Sequence, residues 1–146
     1  AEYMMIDWDK IPKQTLLVEN GEVGDCWRCC IAAVLGMPAS EVPHFLDGHG
    51  AENGNCDADT QDWLNDRGFG MIYVPGGFGS LCYPRWHDRG VALPLISAGP
   101  TVRSKEIGQN HAVVTIGRKV VYDPHPSEAG LTAITEQYLI FRLLET

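Results

Sequence analysis

Cys26 stands in Gly24-Asp25-Cys26-Trp27, where turn residues give way to an apolar run. Far downstream come Asn110-His111-Ala112-Val113-Val114 and then Val120-Val121-Tyr122-Asp123-Pro124. A thiol at a helix start, a His opening a strand and an Asp closing the next strand are the parts of a Cys-His-Asp nucleophile site. Free cysteine titrates near pH 8.5, so only a few per cent is thiolate at neutral pH. Unpaired N–H groups at a helix N-terminus and a nearby imidazolium both favour a thiolate. In this reading Cys26 is the nucleophile, His111 the general base and then acid, and Asp123 the group that orients the ring. The backbone N–H of Cys26 would be one oxyanion donor.

Three elements have to position these groups. Residues 27–35 are apolar almost all round, which predicts a helix buried on most faces, with Asp25 as N-cap and Gly36 as stop. Residues 112–116 and 119–122 predict two strands of a hairpin. With the three-residue loop Ile116-Gly117-Arg118, His111 faces Asp123 on one side of the sheet. With the two-residue turn Gly117-Arg118, they fall on opposite faces. The sequence leaves both loops open.

Elsewhere, residues 40–46 and 61–67 read as short helices, the second capped by Asp59 or Thr60 and stopped by Gly68. Residues 71–74, 91–97 and 138–144 read as strands, with Pro94 either weakening the second or placing it at an edge. Residues 47–57 and 75–80 read as loops that could border a cleft. Helices precede strands, so the fold class is α+β rather than alternating βαβ, in one domain spanning 1–146.

Composition narrows the function. The 146 residues carry a net charge of −8, which argues against nucleic acid or anionic membrane as partner. No apolar run reaches the ~18–20 residues of a membrane span. Five cysteines, three of them within 26–30, make a poor disulfide framework and suggest a reducing, cytoplasmic setting. No cofactor is expected.

The same residues carry a resemblance. Cys-Trp at a helix start, a late His and a later Asp resemble the papain-like cysteine peptidase superfamily. The similarity is closer to the bacteriocin-leader-processing peptidases, through Asp25-Cys26, His111 and Asp123-Pro124. Gly-Asp-Cys-x-Arg-x-Cys also resembles small bacterial and phage-borne proteins. The resemblance spans about residues 20–126. It implies a papain-like fold, with the nucleophile helix packed on a small antiparallel sheet. It also implies a thiol hydrolase acting on a peptide, amide or isopeptide bond of a peptide or protein substrate; deamidation or transglutamination would use the same three groups. The family places an oxyanion Gln six residues before the Cys, and here that position is Asn20. Asn donates the same kind of bond through a shorter arm; Gln14 is the alternative.

Rival readings attach to the same residues. Cys26-Trp27-Arg28-Cys29 could be a redox dithiol, although no βαβ unit surrounds it. Cys26, Cys29, Cys56, His44, His49 and His87 could supply zinc ligands, although no second paired motif completes the set. Asp57–Asp62 is similar to a calcium loop but lacks its Gly and Glu, and helix capping explains it better. A papain-like binding protein without chemistry is the remaining alternative. Cys29 and Cys30 read as buried hydrophobes, Trp27 as packing, and His125 as an exposed loop residue and reserve base.

Overall fold

A computed structural model describes residues 6–46, 56–78, 93–102 and 110–145. Among these described residues two α-helices, α1 (Cys26–Leu35) and α2 (Cys56–Asn65), accompany five strands. The strands are β1 (Phe69–Pro75), β2 (Pro94–Gly99), β3 (His111–Ile116), β4 (Lys119–Tyr122) and β5 (Glu136–Arg142). They form one sheet of order β1-β5-β2-β3-β4, and every pairing is antiparallel. The α+β expectation holds.

Helix α1 is the centre of the core. Trp27, Cys29, Cys30, Ile31, Ala32, Ala33 and Val34 are all buried, as its all-round apolar sequence predicts. It lies on β3 and β2, against Ile96, Ala112 and Val114. Burying a side chain the size of Ile31 contributes about 1.5–3 kcal/mol. Gly36 ends the helix at φ 72, a left-handed conformation that glycine adopts without steric cost. Cys29 and Cys30 are buried as expected, and burial is the main cause that pushes the Cys29 thiol up to about 12.

Several boundaries differ from the sequence reading. Helix α2 begins at Cys56, not residue 61, so Asp59 and Thr60 are helical rather than capping. Acidic Asp57 and Asp59 sit in its first turn, where the helix dipole favours them. The Asp57–Asp62 segment is therefore helix and not a calcium loop. Thr60 is fully buried and accepts the Trp27 Nε1–H at 3.0 Å, which ties α2 to α1. Residues 40–46 make only a 3-10 turn at Ala39–Glu41. Pro94 opens a strand in the middle of the sheet, not at its edge; as first residue it withholds no needed ladder bond. Residues 47–55 and 79–80 of the two expected loops lie outside the described residues.

The hairpin joins through Gly117-Arg118, with Ile116 opposite Lys119 and Thr115 opposite Val120. That turn alone would put His111 and Asp123 on opposite faces. The register then shifts between Thr115 and Val114, and Val114 pairs with Tyr122. The extra residue is Val121. A one-residue bulge reverses the facing of everything beyond it, so His111 and Asp123 return to one face. The three-residue loop is not used, but the juxtaposition it was to provide is.

Gly99, the last residue of β2, pairs with His111. A Cβ there would lie 2.0 Å from the Ala133 carbonyl oxygen. That backbone is held in place by Thr132 N–H to Pro100 O at 2.8 Å and Thr135 N–H to Ala98 O at 2.9 Å. We expect Gly99→Ala to lower unfolding stability by about 3 kcal/mol or more, because backbone cannot yield as a side chain does. Urea midpoints of the two proteins measure it.

Candidate active site

Cys26 is the first residue of α1 and is partly exposed. Asp25 occupies the N-cap position, but its side chain makes no capping bond. Instead one carboxylate oxygen accepts the Leu16 N–H at 3.2 Å. The other accepts Arg28 Nε at 3.0 Å and Nη2 at 2.9 Å. Asp25 is 1% exposed, so this arrangement fixes the chain entering the helix. The first-turn N–H groups have no partner inside the helix, and Asp25 leaves them uncapped beside the thiol.

His111 opens β3 and is buried. Its Nε2 lies 2.6 Å from Asp123 Oδ1, which leaves Nδ1 for other partners. The ring and the Cys26 thiol line the same cleft, close enough for the thiol to act on the imidazole. Burial pulls the imidazole pKa down. The bond to Asp123, the neighbouring Cys26 side chain and the charges of both outweigh it and raise the value to about 9. These partners favour the imidazolium over the neutral ring.

Asp123 is buried just beyond β4. Its Oδ1 also accepts the His125 N–H at 2.9 Å, and Oδ2 accepts the Gly130 N–H at 2.7 Å. Burial alone would raise the carboxyl; the bond and charge of His111 and these two N–H groups hold it below its usual range. The segment before α1 braces the same spot. Tyr122 Oη donates to Pro12 O at 2.7 Å, and Gln14 N–H to Pro124 O at 2.8 Å.

The pair makes stability depend on pH. His111, raised from 6.5 to about 9, stabilises the fold fully below pH 6.5 and loses that contribution as pH rises through about 9. Asp123, lowered from 3.8, contributes fully above that value and loses it as pH falls. The stability advantage of wild type over His111→Gln should therefore be largest near pH 5–6 and shrink toward pH 9; denaturant midpoints across that range check it.

Cys26 and His111 share a cleft of about 210 Å³. Its apolar surface comes from Trp27, Leu46, Ala98, Ala112 and Tyr138. Cys56, Asp57, Asn110 and Glu136 complete the lining. Trp27 thus both packs and faces the cleft. The Cys56 thiol is pushed up to about 11, mainly by burial.

Cys26, His111 and Asp123 are brought together; Asn20 is not. Asn20 is exposed in the 3-10 turn Val18–Asn20 and does not line the cleft. Gln14 is buried, but its Nε2 donates to Leu16 O at 2.8 Å. It packs against Gly24, not in the cleft. His125 is a further correction: it is 8% exposed rather than solvated. Its Nε2 meets Glu19 Oε2 at 2.9 Å and its Nδ1 meets Ser127 Oγ at 2.8 Å, so both nitrogens are engaged away from a base role.

The described cysteines, 26, 29, 30 and 56, are free thiols. Among the described residues every strand pairing is antiparallel, which leaves no βαβ unit there around Cys26-x-x-Cys29. Among the described residues no group of three or more His, Cys, Asp or Glu could hold a metal ion; His49 and His87 lie outside them. Nor is any described helix long and apolar enough to cross a membrane. Comparison with protein-family models, curated proteins and solved structures gave no match.

Proposed function

We propose that this chain is a papain-like thiol hydrolase or acyl-transfer enzyme acting on a peptide, amide or isopeptide bond. One observation carries the reading: a single buried imidazole bonds a carboxylate through Nε2 and lines the same open cleft as a helix-start thiol close enough to shift it. His111 takes the Cys26 proton as general base, and the imidazolium so formed pairs with the sulfur. The sulfur attacks the acyl carbon, and the carbonyl electrons move onto oxygen. The first-turn N–H groups of α1 are the donors nearest to hand for that oxyanion. Collapse expels the amine, which takes its proton from His111. Water then attacks the thioester with His111 as base, releasing acid and restoring the thiol. An amine or a side-chain amide in place of these partners gives transglutamination or deamidation.

A weakly catalytic or non-catalytic binding protein on the same fold is the second reading. The observation favouring it is that neither Asn20 nor Gln14 lines the cleft. Losing one such donor costs about 10²–10³ in rate, which weakens an enzyme without abolishing it.

Acylation by an activated ester, followed by intact mass and peptide mapping, separates the two. An enzyme forms a hydroxylamine-labile thioester on Cys26, faster than on any other cysteine, and Cys26→Ala does not. Acylation of Cys26 no faster than that of a free thiol contradicts the enzyme.

A further inference from the structure

We infer that the cleft selects substrates with a basic side chain, lysine or arginine, within two residues of the scissile bond on its acyl side. This rests on the acyl-transfer reading above, since the acyl portion is the part that stays on the sulfur. Along the sheet, Ala98 pairs with Ala112 on one side and Glu136 on the other. These three residues form a row across β3, β2 and β5. Neighbouring strands lie about 4.8 Å apart, so Glu136 stands about 10 Å from the strand that carries His111. Between them the cleft surface is apolar, made by Ala98, Ala112, Trp27 and Tyr138. Such a surface suits the methylene stem of a long basic side chain, which buries its stem while its head seeks a polar end.

The polar end is acidic. Glu136 and Asp57 both line the cleft, whereas none of the described lining residues is Lys or Arg. Neither carboxylate takes part in the ion pairs formed among the described residues. The imidazolium of His111 is already matched by Asp123. The Tyr73 and Tyr138 hydroxyls stand near Glu136 as neutral neighbours, which leave its charge uncancelled. Burial and the Glu136 charge together raise the Asp57 carboxyl, the mark of two like charges sharing a partly dry wall. A cationic head relieves that repulsion. The net charge of −8 adds long-range attraction for a basic substrate.

Dipeptidyl acyloxymethyl ketones with Lys, Leu or Glu at either peptide position test this. The Cys26 thiolate attacks the methylene carbon; a C–S bond forms, the C–O bond breaks and the carboxylate leaves with the electron pair. Rates of Cys26 labelling are normalised to chloroacetamide for each protein. The best lysyl probe should exceed its glutamyl counterpart about tenfold or more, with leucyl between, as expected for partly desolvated charge pairs. In Asp57→Asn/Glu136→Gln the normalised ratio should fall to within about twofold. Equal lysyl and glutamyl rates, or a preference that survives the double substitution, overturns the inference. If chloroacetamide itself fails to select Cys26, the nucleophile reading falls; if it selects Cys26 while the charged probes react alike, only the basic-substrate inference falls.

Discussion

Asp123→Asn should cost both stability and activity, more than any other single-atom change in the site. Both carboxylate oxygens are used: Oδ1 by His111 Nε2 and the His125 N–H, Oδ2 by the Gly130 N–H. An amide must turn its NH₂ toward one of these donors, so one buried donor is left facing another. Unsatisfied buried groups cost about 1–3 kcal/mol each, more where charge is involved. We expect about 2–3 kcal/mol of destabilisation, read from urea unfolding. Acyl transfer should fall by about 10²–10⁴, the range for loss of an orienting carboxylate or general base. Asp123→Ala should destabilise by about 3–5 kcal/mol, because it leaves His111 without its buried counter-charge.

His111→Ala should remove acyl transfer by about 10²–10⁴ while leaving the fold intact enough to purify. The pH profile gives a sharper signature than the rate alone. Activity that needs the imidazolium should decline as pH rises through about 9, the value to which His111 is raised. In Asp123→Asn the bond and charge that raise it are gone, so the descending limb should move to lower pH. A kcat/KM profile with the same alkaline limb in both proteins would mean that another group titrates there.

How much of this was visible in the sequence depends on the range of each interaction. Helix α1 was legible because its apolar run, Gly36 and the turn before Asp25 all agree. The His111–Asp123 contact was legible only as one of two outcomes. Nothing in Lys119-Val120-Val121-Tyr122 marks Val121 as the bulged residue, and the bulge decides the facing. The start of α2 was missed because Asp57 read as loop and Asp59 as a cap, although acids also suit a first helical turn. Arg28, three residues after Asp25, was an available signal for their ion pair. His125 looked exposed between two prolines, yet its partner Glu19 is 106 residues away in sequence. The cleft wall of Asp57, Glu136 and Tyr138 joins α2 to β5, and only the sheet order brings them beside Cys26.

The most direct test is the rate of chloroacetamide alkylation at Cys26, mapped by mass spectrometry from pH 5 to 9, in wild type and His111→Ala. An ordinary thiol is only about 0.3% ionised at pH 6. A thiolate paired with the His111 imidazolium should react about 30–100-fold faster than that at pH 6 and then rise only about three- to tenfold up to pH 8, where a free thiol rises about 75-fold. Low-pH labelling should be selective for Cys26 over Cys29, Cys30 and Cys56, and lost in His111→Ala. A Cys26 rate that climbs with pH like a free thiol, and does so equally in His111→Ala, would contradict the paired nucleophile.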